Sequence, residues 1–416
     1  MRFTGLALGF GTTFLLGMHL NADGFGQFAV FVSIAMITGL VMTMGSDQLL
    51  VREIGSRQQE RLKGVARHAA GQWIAHTAIV LLLAAGLTAK AVSFSGLTAE
   101  IVTLGLVTGC TISLTYLALA ALRGAGKPLM GTAPEFLGVP GCMLIAILFL
   151  LDTGSLSVDA AIIGFSGIWA LAALCTASLA IRHIPMPAWS ATDIDQSCRF
   201  LASSALIFAA SAMALSIGRV EVLVLGASLD VAMVGLLAMA LRLVGPVQSP
   251  RMILVRSSAH VFASLAHGGA RDAISHRASL FATSEAAFTL LLTALTSVLA
   301  VWVAPSLGED FSGLVGLVLL LGIGFTLRSA FGPAELILTT LRKTRVQALT
   351  SGAFSMLYAA TLLFTSTAFG LIITVLSASV MLVLHGAAMW WVCWKVGGVR
   401  TDAVGVVSRA RATAGS

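Results

Sequence analysis

The stretch LGMHLNADGFGQFAVFVSIAMITGLVMTMGSDQLLVREIGSR (Leu16–Arg57) holds four things in order: the end of an apolar run, a short polar break, a second apolar run, and the start of a basic segment. The break, HLNADGFGQ (His19–Gln27), has room for a turn and nothing larger. The second run, residues 26–46, has the ~20 apolar residues that cross a bilayer. The first run, 4–20, is short for a span. Arg2 followed by an apolar core also has the look of a secretory signal. No small-x-small cleavage site follows it, so we read a retained first span.

The rest of the chain repeats this alternation. Its 416 residues are 57% hydrophobic and 10% charged, with mean hydropathy +0.96. Soluble domains carry about 25% charged residues, so lipid is the main solvent. Cutting at the charged clusters predicts twelve spans: 4–20, 26–46, 69–89, 101–121, 129–151, 159–181, 200–227, 231–250, 279–303, 311–340, 346–368 and 371–394. The seventh and tenth are longer than a perpendicular crossing needs, which predicts tilt or an interfacial turn.

A net charge of +7 would suit a nucleic-acid partner, but the position of the charges excludes one. Of 25 lysines and arginines, 21 fall in alternate connections: Arg2, the 52–68 segment, Arg123 and Lys127, the 182–199 segment, the 251–278 segment, Arg342 to Arg345, and the tail. The intervening connections hold one base, Lys90, with acids at Asp23, Asp152, Asp230, Glu309 and Asp310. That asymmetry sets the topology: both termini are cytoplasmic. The basic side also suits anionic membrane lipids at the inner leaflet.

Five scattered cysteines show no paired or metal-binding spacing and read as small apolar fillers. Trp302, Trp390, Trp391 and Trp394 lie near span ends, where interfacial anchors belong. External connections are short, so no external domain is expected.

The chain also repeats internally. DGFGQFAVF (Asp23–Phe31) and DVAMVGLLAMA (Asp230–Ala240) align Gly26 with Gly235 at an offset of 209. ALRGAGKP (Ala121–Pro128) and TLRKTRVQ (Thr340–Gln347) align Arg123 with Arg342 at an offset of 219. Six spans per half in the same in/out order predict parallel repeats, residues 1–190 and 191–416.

Leu16–Arg57 resembles the opening of bacterial polysaccharide flippases, with an acidic-Phe/Tyr-Gly turn after span 1 and a closing Leu-Val-Arg-Glu. LRGAGKP resembles that family's loop after span 4, and VGLLAMALRLVGPVQSP (Val234–Pro250) its eighth span. The family is the Wzx-type branch of the multidrug/oligosaccharidyl-lipid/polysaccharide exporter (MOP) superfamily. The resemblance implies an all-α membrane protein of two six-helix lobes around a central cavity. It implies flipping of an undecaprenyl-pyrophosphate-linked oligosaccharide from inner to outer leaflet for polysaccharide export, with a polysaccharide polymerase and chain-length proteins as partners. His19 stands where that family usually has arginine, which makes cation supply on the first span weaker or pH-dependent.

Three bases sit inside spans: Arg219, Arg242 and Arg328. A charge at membrane depth costs at least ~2.5–3.5 kcal/mol on insertion scales, so it seeks a cavity or a partner. Arg242 lies roughly 18 Å in from Asp230 and Arg328 roughly 21 Å in from Arg342, both near mid-depth. Arginine grips phosphate oxygens bidentately, so on the resemblance Arg219, Arg242, Arg328 and His19 are the candidate substrate-binding residues. Pairing is the other reading. Arg328 and Glu335 share a helix face, with Pro333 between them predicting a kink. Arg219 and Glu221 point to opposite sides of a helix; Glu221 is a lobe-stabilising candidate, with Arg242 a potential partner. Glu135, flanked by Pro134 and Pro140, is a coupling or packing acid, as are Glu221 and Glu335. Glu285 reads as interfacial, Asp47 as paired with a loop base, and His76 and His385 as isolated packing residues.

No phosphate-binding loop, nucleophile–base pair or metal motif is present, so neither an enzyme nor a cofactor or metal is expected. A multidrug-type cation-coupled antiporter of the same superfamily is the alternative. It calls for a carboxylate in the middle of span 1 or 2, and span 1 has none. A membrane polysaccharide polymerase or ligase calls for a large external loop, which the sequence also lacks.

Overall fold

A computed structural model describes residues 1–55, 59–89, 97–183, 194–267 and 270–403. Arg57, Lys90, Arg409 and Arg411 of the loop tally lie outside the described residues. The helices are α1 (Arg2–Thr43), α2 (Ser46–Gly55), α3 (Gln59–Ala89), α4 (Ala99–Gly124), α5 (Val139–Asp152), α6 (Val158–His183), α7 (Ile194–Ser216), α8 (Val220–Gly226), α9 (Val231–Val244), α10 (Ser249–His267), α11 (Arg271–Leu307), α12 (Leu314–Ser329), α13 (Ala334–Thr340), α14 (Thr344–Phe369) and α15 (Leu371–Val392).

Eleven stretches among the described residues are long and apolar enough to span a membrane. The first of them, Thr4–Thr43, is two spans. Along its first half, Gly5 lies against Phe136, Leu8 against Gly141 and Gly11 against Leu144, so it runs in the direction of α5. Along its second half, Ile34 lies against Gly105, Thr38 against Gly109 and Gly39 against Ile112, so it runs in the direction of α4. Thr108 bonds Ser166, and Leu122 packs with Ala180, so α4 and α6 are parallel. The short turn after α5 makes α5 antiparallel to both. The chain therefore reverses within α1, at Asn21, whose φ of 53° departs from helix. The Asn21 side-chain oxygen accepts from the Gly24 N–H at 2.9 Å, capping the second span. That cap pulls Asp23–Phe25 into the helix, where the sequence predicted a loop.

Leu82, Leu349 and Met356 are each 74–79% exposed, and Trp302 is 78% exposed. On a soluble protein such faces would aggregate; here they are the lipid-facing sides of a multi-pass membrane protein.

Two of the long spans are broken. The seventh breaks at Gly218 (φ 79°), between α7 and α8. The tenth breaks between α12 and α13, where Gly332 has φ 72° and Pro333 follows, as the kink reading expected. The 251–278 connection departs from expectation. A 3-10 turn at Gly245–Gln248, with Pro246 removing a donor, leads into α10, and α11 starts at Arg271. Most of that loop is helix, and Arg251 sits on it.

The chain forms two compact units, residues 1–208 with 217–238, and 209–216 with 239–416. In the first, α4 is the central helix, flanked by the second half of α1, by α2, by α3 and by α6, with Phe28, Phe31, Trp169 and Phe165 filling space between. In the second, α11, α12, α14 and α15 pack side by side, and Gln347 ties the end of α7 in through the Ala210 carbonyl.

The two glycines aligned by the repeat touch one another. A Cβ added at Gly26 would strike the Val231 carbonyl, and one added at Gly235 would strike the Ala22 carbonyl. Ala22 and Val231 are themselves 209 apart, the same offset as the glycines. The contact is reciprocal, each glycine meeting the residue four before the other. Small residues allow this backbone approach in membranes. Gly26→Val or Gly235→Val is expected to destabilise the protein by about 1–3 kcal/mol through overpacking. Thermal unfolding in detergent checks it, and Gly71→Val, where a Cβ meets open space, is the control.

Candidate functional site

In the second unit, five ionisable side chains from five helices converge. Arg251 comes from α10, Glu285 from α11, Arg328 from the last turn of α12, Glu335 from the first turn of α13, and His385 from α15. The break at Ala330–Pro333 makes the cluster possible, because it lets Arg328 and Glu335 leave the strict spacing of one straight helix.

Glu335 is the hub. Its Oε1 lies 3.1 Å from Arg328 Nη2 and its Oε2 lies 3.3 Å from Arg251 Nη2. The other Arg251 nitrogen, Nη1, lies 3.3 Å from Glu285 Oε1 and 3.5 Å from the Gly332 carbonyl. His385 turns Nδ1 toward Glu335 Oε1 at 3.9 Å, and its Nε2 lies 3.4 Å from Ser351 Oγ. Glu285, Arg328 and His385 are buried, while the Arg251 and Glu335 side chains remain 20% and 23% exposed. Gly386 leaves room for the Arg328 stem to pass. Two arginines and two glutamates sum to zero formal charge, which is how a buried cluster tolerates low dielectric.

The tail of the chain closes the break from outside. Pro333 and Gly332 end the helical ladder, leaving the carbonyls of Ala330 and Phe331 without their usual partners. Ala403 donates its N–H to Ala330 at 2.9 Å, and Thr401 Oγ1 donates to Phe331 at 2.7 Å. Val399 and Thr401 are fully buried, and Asp402 accepts from Trp390 Nε1 at 2.8 Å. Trp390 is therefore a partner of the tail rather than an interfacial anchor.

The predicted residues separate into distinct places. Arg328 and Glu335 form the ion pair that the pairing reading described. Glu135 lies 3.6 Å from Arg123, each about a quarter exposed. Arg219 sits half-buried at the start of α8, within electrostatic range of Tyr116, and Glu221 is buried on the same helix. Arg242 is exposed on α9. His19 is exposed, with Nδ1 2.9 Å from the Leu15 carbonyl. Asp47, on α2, has its carboxyl pushed up by burial, with the Gln48 backbone and Arg123 pulling it back, so the base that acts on it sits in the last turn of α4 and not in a loop. His76 bonds the Met42 carbonyl at 2.9 Å, a satisfied packing histidine as expected.

Three members of the cluster were not brought together by the sequence reading. Arg251 was assigned to a loop, Glu285 to the interface and His385 to isolation. Glu285 lies fourteen residues into α11, roughly 21 Å along it. An acid inside SLFATSEAAFTLLL (Ser279–Leu292) was the available signal, because intramembrane charges come with partners.

The sequence matches no protein-family description, and no curated protein matches it. Solved structures do. An inward-facing MATE-family multidrug resistance transporter of the MOP superfamily aligns with TM-score 0.70 and 13% identity, over 95% of this chain and 94% of that one. The lipid II flippase MurJ, in an inward closed conformation, aligns with TM-score 0.68 and 12% identity, over 94% and 85%. The Vibrio cholerae MATE transporter VcmN aligns with TM-score 0.53 and 18% identity, over 95% of each chain. This chain has the fold that these transporters share.

Replacing Arg328 by Met, or Glu335 by Met, leaves a buried charge short of its partner and is expected to cost about 3–5 kcal/mol each. The double variant is expected to cost clearly less than the sum of the two, a coupling that thermal unfolding in a double-mutant cycle measures. Thr401→Val and Ala403→Pro each remove one donor from the span-10 break and are expected to cost about 1 kcal/mol apiece. Hydrogen exchange at residues 330–336 is expected to rise in both.

Proposed function

We propose that this protein flips a lipid-linked anionic oligosaccharide, of the undecaprenyl-pyrophosphate class, from inner to outer leaflet of a bacterial inner membrane. The export of a polysaccharide would follow. What supports this is the set of arginines inside the apolar spans read from the sequence, Arg219, Arg242 and Arg328, together with Arg251 on α10, on a fold that MurJ also adopts. A pyrophosphate headgroup crossing ~30 Å of hydrocarbon needs its hydration replaced, and guanidinium groups supply that. His19, Arg219 and Arg242 are the groups we assign to the headgroup. The lipid tail would stay in the bilayer throughout. The halves 1–190 and 191–416 would act as the two lobes, in alternating access. A polysaccharide polymerase and chain-length proteins are the partners such a route requires.

A second reading, a multidrug-type antiporter, is favoured by the MATE likeness, which is as extensive as the MurJ one. Charge separates the two. A cationic drug wants carboxylates along its path, whereas Glu335 and Glu285 are here occupied by arginines.

Proteoliposomes test the choice. With a fluorescent polyprenyl-pyrophosphate glycan, the unaltered protein is expected to raise leaflet exchange, and Arg219→Gln and Arg242→Gln each to slow it about tenfold, the worth of a charge-assisted hydrogen bond. Unchanged flipping in both variants would overturn the arginine assignment, and no leaflet exchange by the unaltered protein, together with proton- or sodium-driven efflux of a cationic dye, would establish the antiporter instead.

A further inference from the structure

We infer that Glu335 is an internal counter-ion seated in an oxyanion site, and that a phosphate or pyrophosphate group displaces it. The inference rests on the flippase reading for its ligand class and adds a site which that reading did not contain.

The geometry around Glu335 is that of a captured oxyanion. Its two oxygens are divided between two guanidinium groups, Arg328 at 3.1 Å and Arg251 at 3.3 Å. Two arginines converging from different helices on a two-oxygen anion form the arrangement that binds phosphate. A third nitrogen is aimed at the same place. His385 Nδ1 is fully buried, 3.9 Å from Glu335 Oε1, and has no hydrogen-bond partner among the described residues. A structural ion pair has no use for that nitrogen; an oxyanion larger than a carboxylate reaches it.

The site also stays built when Glu335 leaves. Glu285 and the Gly332 carbonyl hold Arg251 independently of Glu335. Arg328, by contrast, is buried and loses the carboxylate it is paired with, so the departure leaves an uncompensated positive charge that draws an anion. Access comes from the side of Glu335 and Arg251, the two members that keep about a fifth of their side-chain surface open. Ile337 and Leu338 on the same short helix are packed in the core, so the displacement asks the Glu335 side chain to move and not the helix.

The test measures binding of inorganic pyrophosphate, and separately of farnesyl pyrophosphate, to purified full-length protein in detergent. Glu335→Gln keeps the volume and removes the competing charge. It is expected to tighten binding of inorganic pyrophosphate about tenfold or more. Adding Arg328→Gln or Arg251→Gln to that variant is expected to abolish the gain. Glu335→Asp is too short to span both arginines and keeps its charge, so a smaller gain is expected; it stands in should Glu335→Gln fold poorly. A gain with farnesyl pyrophosphate much greater than with inorganic pyrophosphate assigns the site to the lipid headgroup, and equal gains assign it to free oxyanions. Binding by the unaltered protein with no gain in either Glu335 variant overturns the counter-ion inference and leaves the flippase reading standing. No pyrophosphate binding by any variant, with cationic dye transport intact, overturns both.

Discussion

A carboxylate shared between two arginines in a low-dielectric interior is the constraint on which the second unit is arranged. Charges at that depth are costly alone and tolerable only as a balanced set. Balance at Glu335 requires four more helices to bring a side chain to one point, which fixes where α10, α11, α12 and α15 pass relative to α13. The break in the tenth span follows from the same demand. Its exposed carbonyls then call for the tail, which returns from the end of α15 to supply Ala403 and Thr401. A chain of necessity runs from one ion cluster to the placement of a segment seventy residues away.

Backbone satisfaction imposes a similar logic in the first unit. Water is absent from the bilayer core, so each interruption of a helix needs a local remedy. At Asn21 the remedy is a side-chain cap on the following span. At Gly26 and Gly235 the helices need no remedy, since the ladder is intact; what is required there is the absence of a side chain, so that two backbones meet.

Hydropathy made the spans readable. The number of apolar residues needed to cross a bilayer is fixed by its thickness, and that signal survives in a single sequence. The glycine match at offset 209 was equally legible, because close backbone approach permits only glycine there. Arg251 was not. A basic residue after an apolar run looks the same whether it enters a loop or continues as helix, and the 3-10 turn at Gly245–Gln248 that redirects the chain carries a proline suited to either. Glu285 was lost for a related reason. Its partner Arg251 comes from a stretch that reads as loop, so nothing near Glu285 in the sequence marks it as paired. His385 looked isolated because its neighbours, Glu335 and Ser351, come from other helices. The pairing of Arg328 with Glu335 was visible only because seven residues and a proline separate them on one chain segment.

That contrast bears on what the arginines are for. Arg328 is buried and paired, so if it contributes to substrate it does so only after its partner is exchanged. Arg242 is exposed, and Arg219 is half-buried at a helix break where Gly218 frees the backbone. Both keep surface open to an anionic headgroup. It gains the buried ones only by taking the place of a carboxylate, and that exchange is close to neutral in charge. A route in which each step trades one oxyanion for another avoids both a bare arginine in hydrocarbon and a pyrophosphate held too tightly to leave. Glutamates beside the arginines are then no obstacle to an anionic substrate; they set the strength with which it is held.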